Sequence, residues 1–336
     1  MQAKNQKIVV LGTGGTIAGE SNSENEGFTY QAAQRSISDL MQSVAGKFKA
    51  LPHALTGFQI ETEQVCQIDS KDMDFSIWQT LAQRCDHWLS HSDVHSVVIT
   101  HGTDTLEETA YFLSQVVQRN KPIVLTCAMR PANFKDADGP QNMRDALNAA
   151  AQLAGQGVWL VAAGEIHHSL YVQKVHPTRI NAFDSGERGP VALVSDDQIH
   201  WQTDALDKTS NQSLNASLNV QSLPNHSQWP WVEIIFNCVQ SDGRQIKLMV
   251  DAGLKGLVVA GTGNGSISQA MKAELLLAQS RGVEIRLASR CNQGPVVKTE
   301  NHEFPTYGTL NPAKARVALI LNILSKKQSH NNEPCA

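Results

Sequence analysis

Short, wholly apolar runs alternate along this chain with breaks rich in glycine and polar residues. Ile8 to Leu11 is such a run, and it stops at Gly12-Thr13-Gly14-Gly15-Thr16. An apolar run cut off by glycines predicts a buried parallel strand that ends in a tight loop. Residues 36–48 then place Ile37, Leu40, Met41, Val44 and Phe48 at helical spacing. Gln59 to Ile68 reads as a strand ending at Asp69-Ser70-Lys71-Asp72, with Asp72 as the expected cap of a helix from Met73 to about Leu89. Ser96 to Thr100 is another strand, and it stops at His101-Gly102-Thr103-Asp104-Thr105 before a helix through Arg119. Pro122–Cys127 and Gly157–Ala163 are further strands, separated by Ala128-Met129-Arg130-Pro131 and an alanine-rich helix over Asn142–Leu153. Repeated strand–loop–helix alternation predicts an α/β fold, a mainly parallel sheet with helices on both faces.

A chain of 336 residues favours two domains, each with its own core. From Ala205 to Pro230 the composition shifts to Ser, Asn, Gln and Thr. The expected division is a larger N-terminal α/β domain over 1–204, a linker over 205–230, and a smaller C-terminal α/β domain over 231–336, also with a parallel sheet. In the latter, strands are expected near Val232–Phe236, Gly256–Ala260 and Val283–Leu287, and helices near 242–252, 266–280 and 311–325. The polar tail after Lys326 is expected to fray.

Hydrophobic residues make up 41% of the chain and charged residues 18%, with a formal charge of -4. Lys and Arg are scattered, so neither nucleic acid nor an anionic membrane surface is an expected partner. No apolar stretch reaches the roughly 18 residues of a membrane-spanning helix. Met1 to Lys7 is polar and does not read as a leader, so the cytoplasm is the expected location, with the periplasm as the alternative. Six widely spaced cysteines without a C-x-x-C pair suit a reducing compartment.

Candidate chemistry concentrates at the strand ends, where open α/β sheets bind ligands. The first loop is not a G-x-G-x-x-G element, because Ile17 occupies the last position, and it lacks a Walker ending. No basic residue occurs between Lys7 and Arg35 to neutralise a phosphate. The loop is either plain turn chemistry or, with Thr13 and Thr16 inside it, the seat of a nucleophile. Gly19 to Gly27 follows it, polar throughout, as surface loop or lid. In the second cluster Asp104 or Thr105 could simply cap a helix and Thr103 a turn. Two Gly-Thr clusters on one sheet edge nevertheless bring two hydroxyls and a carboxylate together. A threonine hydroxyl needs an activating partner. Lys174 and Tyr30 are the candidates, each otherwise an ordinary surface or core residue. His87, His91 and His95 share a helical spacing but are discounted as metal ligands, since His95 falls beside the next strand. His167-His168 reads as a solvated loop pair. No metal and no cofactor are expected. Gly261-Thr262-Gly263-Asn264-Gly265-Ser266 reads as a tight strand–helix turn capped by Ser266, or as a backbone cradle for a small anion.

Taken together these clusters resemble the bacterial L-asparaginase/glutaminase family. Thr13-Gly14-Gly15-Thr16-Ile17-Ala18 is similar to its first signature, and His101-Gly102-Thr103-Asp104-Thr105-Leu106-Glu107-Glu108-Thr109-Ala110 to its second. Ala128-Met129-Arg130-Pro131, Ala137-Asp138-Gly139-Pro140, Gly263-Asn264-Gly265 and Gly308-Thr309-Leu310-Asn311-Pro312 add to the resemblance in chain order. It implies Thr16 as nucleophile and Tyr30 as the hydroxyl closing over it. It implies Thr103 with Lys174 and Asp104 as a second activating set, and Glu300 as an acid donated by a neighbouring subunit, with Glu303 as rival. Substrate contacts are implied at Gly15, Asp69, Ser70, Lys71, Gly102, Thr103, Asp104, Ala128 and Ser266. Among these, Asp104 would hold the α-amino group and Ser70 the carboxylate. Lys71 departs from the Gln or Glu frequent there. The implied activity is hydrolysis of L-asparagine to L-aspartate and ammonia through a threonine acyl-enzyme, with L-glutamine as a further substrate. The implied assembly is a homotetramer of dimers with sites at subunit interfaces. A non-catalytic asparagine sensor and an ammonia-donating amidotransferase subunit are the alternatives. A sensor has no need of Thr16, Tyr30, Thr103, Asp104 and Lys174 together, and the chain leaves little room for a partner-docking domain.

Overall fold

The computed structural model describes residues 6–22, 29–202 and 218–331. The chain divides into two compact units, Met1–Ser213 and Leu214–Ala336. Part of the expected linker, 205–217, lies outside the described residues. Its remainder belongs to the second unit, where Leu218, Val220, Leu223 and Trp229 are buried.

In the first unit the described strands are β1 (Gln6–Gly14), β2 (Glu20–Ser21), β3 (Tyr30–Gln31), β4 (Phe58–Ile68), β5 (Val94–Thr100), β6 (Pro122–Thr126), β7 (Gly157–Ala162), β8 (Glu165–His168), β9 (Gln173–Lys174), β10 (Phe183–Asp184), β11 (Ala192–Ser195) and β12 (Gln198–Trp201). The described helices are α1 (Ile37–Lys47), α2 (Phe75–Ser90), α3 (Leu106–Val116) and α4 (Gly139–Gln152). Eight strands form one sheet in the order β12-β11-β8-β7-β6-β5-β1-β4. β4, β1, β5, β6 and β7 run parallel, whereas β8, β11 and β12 extend the sheet antiparallel. The apolar runs are central strands because both their faces are covered. Ile8, Val10, Val98, Val124 and Val161 face Ile37, Leu40 and Val44 of α1 and Met143, Ala146 and Ala150 of α4. α2 and α3 pack together against β4, β5 and β7 on the other side. Burying such Val, Leu and Ile side chains stabilises by about 1.5–3 kcal/mol each.

Several boundaries differ from the sequence reading. Asp74, not Asp72, caps α2, its carboxylate accepting from Ile77 N at 2.9 Å. The Asp69-Ser70-Lys71-Asp72 stretch is instead a separate 3-10 turn over Ser70–Asp72, capped by Asp69. α3 stops at Val116 rather than Arg119, and the chain is already extended at Val117. His167 and His168 are not solvated; they lie buried on β8. There His167 hydrogen-bonds Ser185 Oγ at 2.9 Å and Glu165 at 3.1 Å. His168 stands edge-on to Trp159.

The second unit has a three-stranded parallel sheet of β13 (Val232–Phe236), β14 (Gly256–Gly261) and β15 (Glu284–Ser289). Its described helices are α5 (Arg244–Asp251), α6 (Gln269–Ser280) and α7 (Pro312–Asn331). Ile235, Leu257, Val259, Ile285 and Leu287 form one core with Ile246 and Val250 of α5 and Met271 and Leu275 of α6. α7 lies along all three strands, with Leu319 and Ile323 close over Gly256. The helix runs past Lys326 to Asn331, so the expected fraying does not begin there. Ser268, not Ser266, caps α6, accepting from Met271 N at 3.2 Å.

Candidate active site

Three neighbouring parallel strands, β4, β1 and β5, end at the same edge of the first unit's sheet. Each delivers one loop. β1 ends in Gly14 and Gly15, whose φ values of 102° and 81° lie in the region that L side chains avoid. A Cβ on Gly15 would fall 2.3 Å from Gly102 Cα. A Cβ on Gly102 would fall 2.5 Å from Ser70 Oγ. The glycines let the β1 and β5 loops meet backbone to backbone and seat the Ser70 side chain against the Gly102 main chain. The β1 loop is also tied to β4, with Gly15 N donating to Ile68 O at 2.8 Å.

On this platform the hydroxyls fall into two groups. Thr16 Oγ1 lies 2.7 Å from Tyr30 Oη, and Thr16 is buried. Tyr30 is brought over by the short β2–β3 pairing, Ser21 opposite Tyr30. Downstream, Ala33 N donates back to Gly15 O at 3.1 Å. Residues 23–27 of the expected lid lie outside the described residues. Burial raises the Tyr30 phenol above its ordinary pKa, and the Thr16 hydrogen bond only partly opposes this. Tyr30 therefore keeps its proton at neutral pH. Thr13, the other hydroxyl of the loop, is turned away and donates to Thr100 O at 2.8 Å.

The second group is ionic. Lys174 Nζ donates to Thr103 Oγ1 at 2.8 Å and to Asp104 Oδ1 at 2.6 Å. Lys174 comes from β9, which among the described residues pairs with β10 alone, outside the main sheet. Its side chain is 17% exposed against 54% for Asp104, so the carboxylate has the open side. Ser70 Oγ accepts from Asp104 N at 3.2 Å, and Thr105 Oγ1 donates to Ser70 O at 2.8 Å. Thr105 is at the N-cap position of α3 but makes no side-chain cap bond.

Gly15, Ser70, Gly102, Thr103 and Asp104 thus converge, and Asp69 adjoins them in the turn carrying Ser70. Lys71 is turned into ion pairs with Asp69 at 3.3 Å and Asp72 at 2.6 Å. Ala128 is buried at the end of β6. The next loop is held by Asp138, which accepts from Met129 N and Arg130 N, both at 2.9 Å. Burial raises the Asp138 carboxyl pKa while these backbone donors oppose it. The sequence reading attached no role to Asp138, and none to Glu107.

Two expected site residues belong to the second unit. Ser266 closes the loop after β14, exchanging backbone hydrogen bonds with Thr262 at 2.8 and 2.9 Å. Glu300 is exposed, and Glu303 is paired with Lys272. Asn264 clasps the segment before Glu300, with Oδ1 accepting from Val297 N at 2.7 Å and Nδ2 donating to Val297 O at 2.8 Å.

Among the described residues no group of three or more His, Cys, Asp and Glu is placed to hold a metal ion. Among them, no helix is long and apolar enough to cross a membrane. Cys66, Cys85 and Cys127 are free thiols whose pKa values are pushed up by burial, Cys66 to about 11.

A neutral hydroxyl pair and a lysine–carboxylate–threonine set meet at one edge of the mainly parallel sheet in a two-domain α/β protein. Comparison with known proteins gives this class its family. The sequence profile described as Asparaginase, N-terminal, matches residues 7–207, and that of the Glutaminase/Asparaginase C-terminal domain matches residues 231–332. L-asparaginase 2 of Bacillus subtilis is 34% identical over 97% of this chain and 86% of its own length. The relative named "Probable L-asparaginase periplasmic" from Haemophilus influenzae is 34% identical over 95% of this chain and 89% of its own. A crystal structure of a probable cytoplasmic L-asparaginase from Campylobacter jejuni superposes with a TM-score of 0.83. It has 32% identity and covers 97% of this chain and 98% of that one. The chain belongs to the asparaginase family.

Proposed function

We propose that this chain is an amidohydrolase that converts L-asparagine to L-aspartate and ammonia through an ester on Thr16. The observation that carries the reading is the contact of Thr16 with Tyr30 at 2.7 Å on a loop abutting the one that holds Thr103, Asp104 and Lys174. Thr16 Oγ1 attacks the side-chain amide carbon and gives up its proton toward Tyr30, whose own hydroxyl proton moves on toward the amide nitrogen. Backbone amides of the glycine-rich loops face the resulting oxyanion. The amide nitrogen takes a proton and leaves as ammonia, and a β-aspartyl ester remains. Water then attacks that ester, with Thr103, Lys174 and Asp104 relaying its proton, and Thr16 is restored. Ser70 holds the substrate carboxylate and Asp104 its α-amino group. Gly15, Asp69, Lys71, Gly102 and Ala128 line the same place. L-Glutamine, one methylene longer, is a second substrate of the same chemistry.

The assembly we propose is a homotetramer of dimers in which Ser266 and Glu300 reach the site of a neighbouring subunit. With Glu303 paired to Lys272, Glu300 is the better placed of the two acids. Its location is the cytoplasm, in line with the name of the Campylobacter relative; the Haemophilus name makes the periplasm the alternative.

The test is ammonia release from asparagine and from glutamine by wild type and by Thr16→Ala. The expected result is release by wild type, faster with asparagine, and loss of several orders of magnitude in the variant. Asparagine binding without ammonia release would overturn the hydrolase and favour a sensor. Release only with a second protein present would favour an amidotransferase subunit.

A further inference from the structure

Lys174 stands on a strand that the main sheet does not support. Among the described residues β9 and β10 form a two-stranded sheet of their own, with Lys174 opposite Phe183 and Gln173 opposite Asp184. A lysine side chain has about 2 kcal/mol of rotamer entropy to lose on being fixed. Something must therefore hold its main chain if Nζ is to stay on Thr103 and Asp104. The Lys174 backbone N–H donates to a carboxylate oxygen of Glu107. Glu107 is separated from Lys174 by 67 positions in the chain and is buried, 8% exposed. It lies in the first turn of α3, directly after the loop carrying Thr103 and Asp104.

We infer that Glu107 is a positioning residue that locks the Lys174 main chain to the Thr103–Asp104 loop. The inference rests on the proposed function, in which Lys174 acts on Thr103. One rigid element then carries both halves of the set: Thr103 and Asp104 precede α3, and Glu107 reaches from its first turn to the strand of their partner. A carboxylate suits this place because the N-terminal end of a helix favours negative charge, which offsets part of the cost of burial. A backbone N–H held by a charged acceptor is also bound more strongly than one held by a neutral acceptor. Because Lys174 Nζ has its own carboxylate partner in Asp104, side chain and main chain are held by different acids.

Glu107→Ala and Glu107→Gln distinguish this from ordinary structural support. Glu107→Ala removes the acceptor. We expect kcat to fall by about 10- to 100-fold with KM little changed, since displacement of a catalytic group acts on the chemical step. Glu107→Gln keeps an acceptor oxygen, and kcat is expected within about threefold of wild type. Hydrogen exchange at the Lys174 amide should quicken in Glu107→Ala and stay slow in Glu107→Gln. In a Lys174→Met background, Glu107→Ala should cause little further loss of kcat, because its effect passes through Lys174. An unchanged Lys174 amide in Glu107→Ala overturns the inference whatever the activity. So does a folded Glu107→Ala with wild-type kcat, or an additive loss in the Lys174→Met background. Failure of the proposed function itself is read separately, as a wild type that releases no ammonia.

Discussion

Thr16 and Thr103 end neighbouring strands on loops that touch, yet their surroundings have opposite character. Thr16 is buried against a phenol kept neutral by its own burial, an uncharged hydroxyl pair. Thr103 receives a hydrogen bond from an ammonium that is also paired to a half-exposed carboxylate. A neutral, desolvated hydroxyl suits attack on a carbonyl, where solvating water would blunt the nucleophile. An ionic set whose carboxylate is open to solvent suits handling the proton of a water molecule. In the proposed mechanism two threonines of like sequence context divide the work by what faces them. The Gly15–Gly102 contact keeps the halves together.

The comparison is broken most completely at that contact. Gly15→Ala places a methyl 2.3 Å from Gly102 Cα at a φ of 81°. We expect about 3 kcal/mol of destabilisation and near-complete loss of activity. Denaturant unfolding and an ammonia assay read both, and an active variant of wild-type stability would show that the loops need not touch.

Single removals on each side sharpen the contrast. Lys174→Met should lower kcat by about a hundred- to ten-thousand-fold. Tyr30→Phe, which leaves the ring and removes one hydroxyl, should lower it by about a hundredfold. If Lys174 serves the water step, Lys174→Met should let the ester accumulate, whereas Tyr30→Phe should slow its formation. A pre-steady-state burst of ammonia in the first variant and none in the second is the expected pattern. A burst in Tyr30→Phe alone would reverse the division of labour.

The smallest effect concerns stability. His101, fully buried beside the Thr103 loop, has its pKa lowered to about 4 by burial, from an ordinary 6.5. The folded protein therefore holds it neutral, with Nδ1 on Gly102 O at 2.7 Å and Nε2 on Thr109 Oγ1 at 3.0 Å. The unfolded chain takes up the proton first as pH falls. This contribution is complete above pH 6.5 and declines through the window down to about 4, by roughly 3 kcal/mol at most. The melting temperature of His101→Gln should vary less across this window than that of wild type. Equal slopes would contradict the assignment.

The central strands and the two Gly-Thr loops were legible because burial on both faces leaves continuous apolar runs, and tight turns demand glycine at fixed places. The short antiparallel strands β8, β11 and β12 left no such run, so His167-His168 read as loop although the sheet extends through them. Capping was misassigned at Asp72 and Ser266 because each has an equally suitable neighbour, Asp74 and Ser268, and only the backbone decides between them. Thr16, Tyr30, Thr103, Asp104 and Lys174 were candidates from the residues themselves, and family resemblance gave them their roles. Glu107 was not, since its partner is a main-chain N–H that carries no residue identity and lies 67 positions away.

The central claim is that the covalent intermediate forms on Thr16. The most direct measurement is rapid quench of the enzyme with asparagine, followed by intact and peptide mass analysis, using Lys174→Met to prolong the ester. The expected result is a mass gain equal to asparagine less ammonia, located on the peptide containing Thr16 and absent in a Thr16→Ala, Lys174→Met double variant. An adduct mapped to Thr103, or one that persists without Thr16, would contradict it.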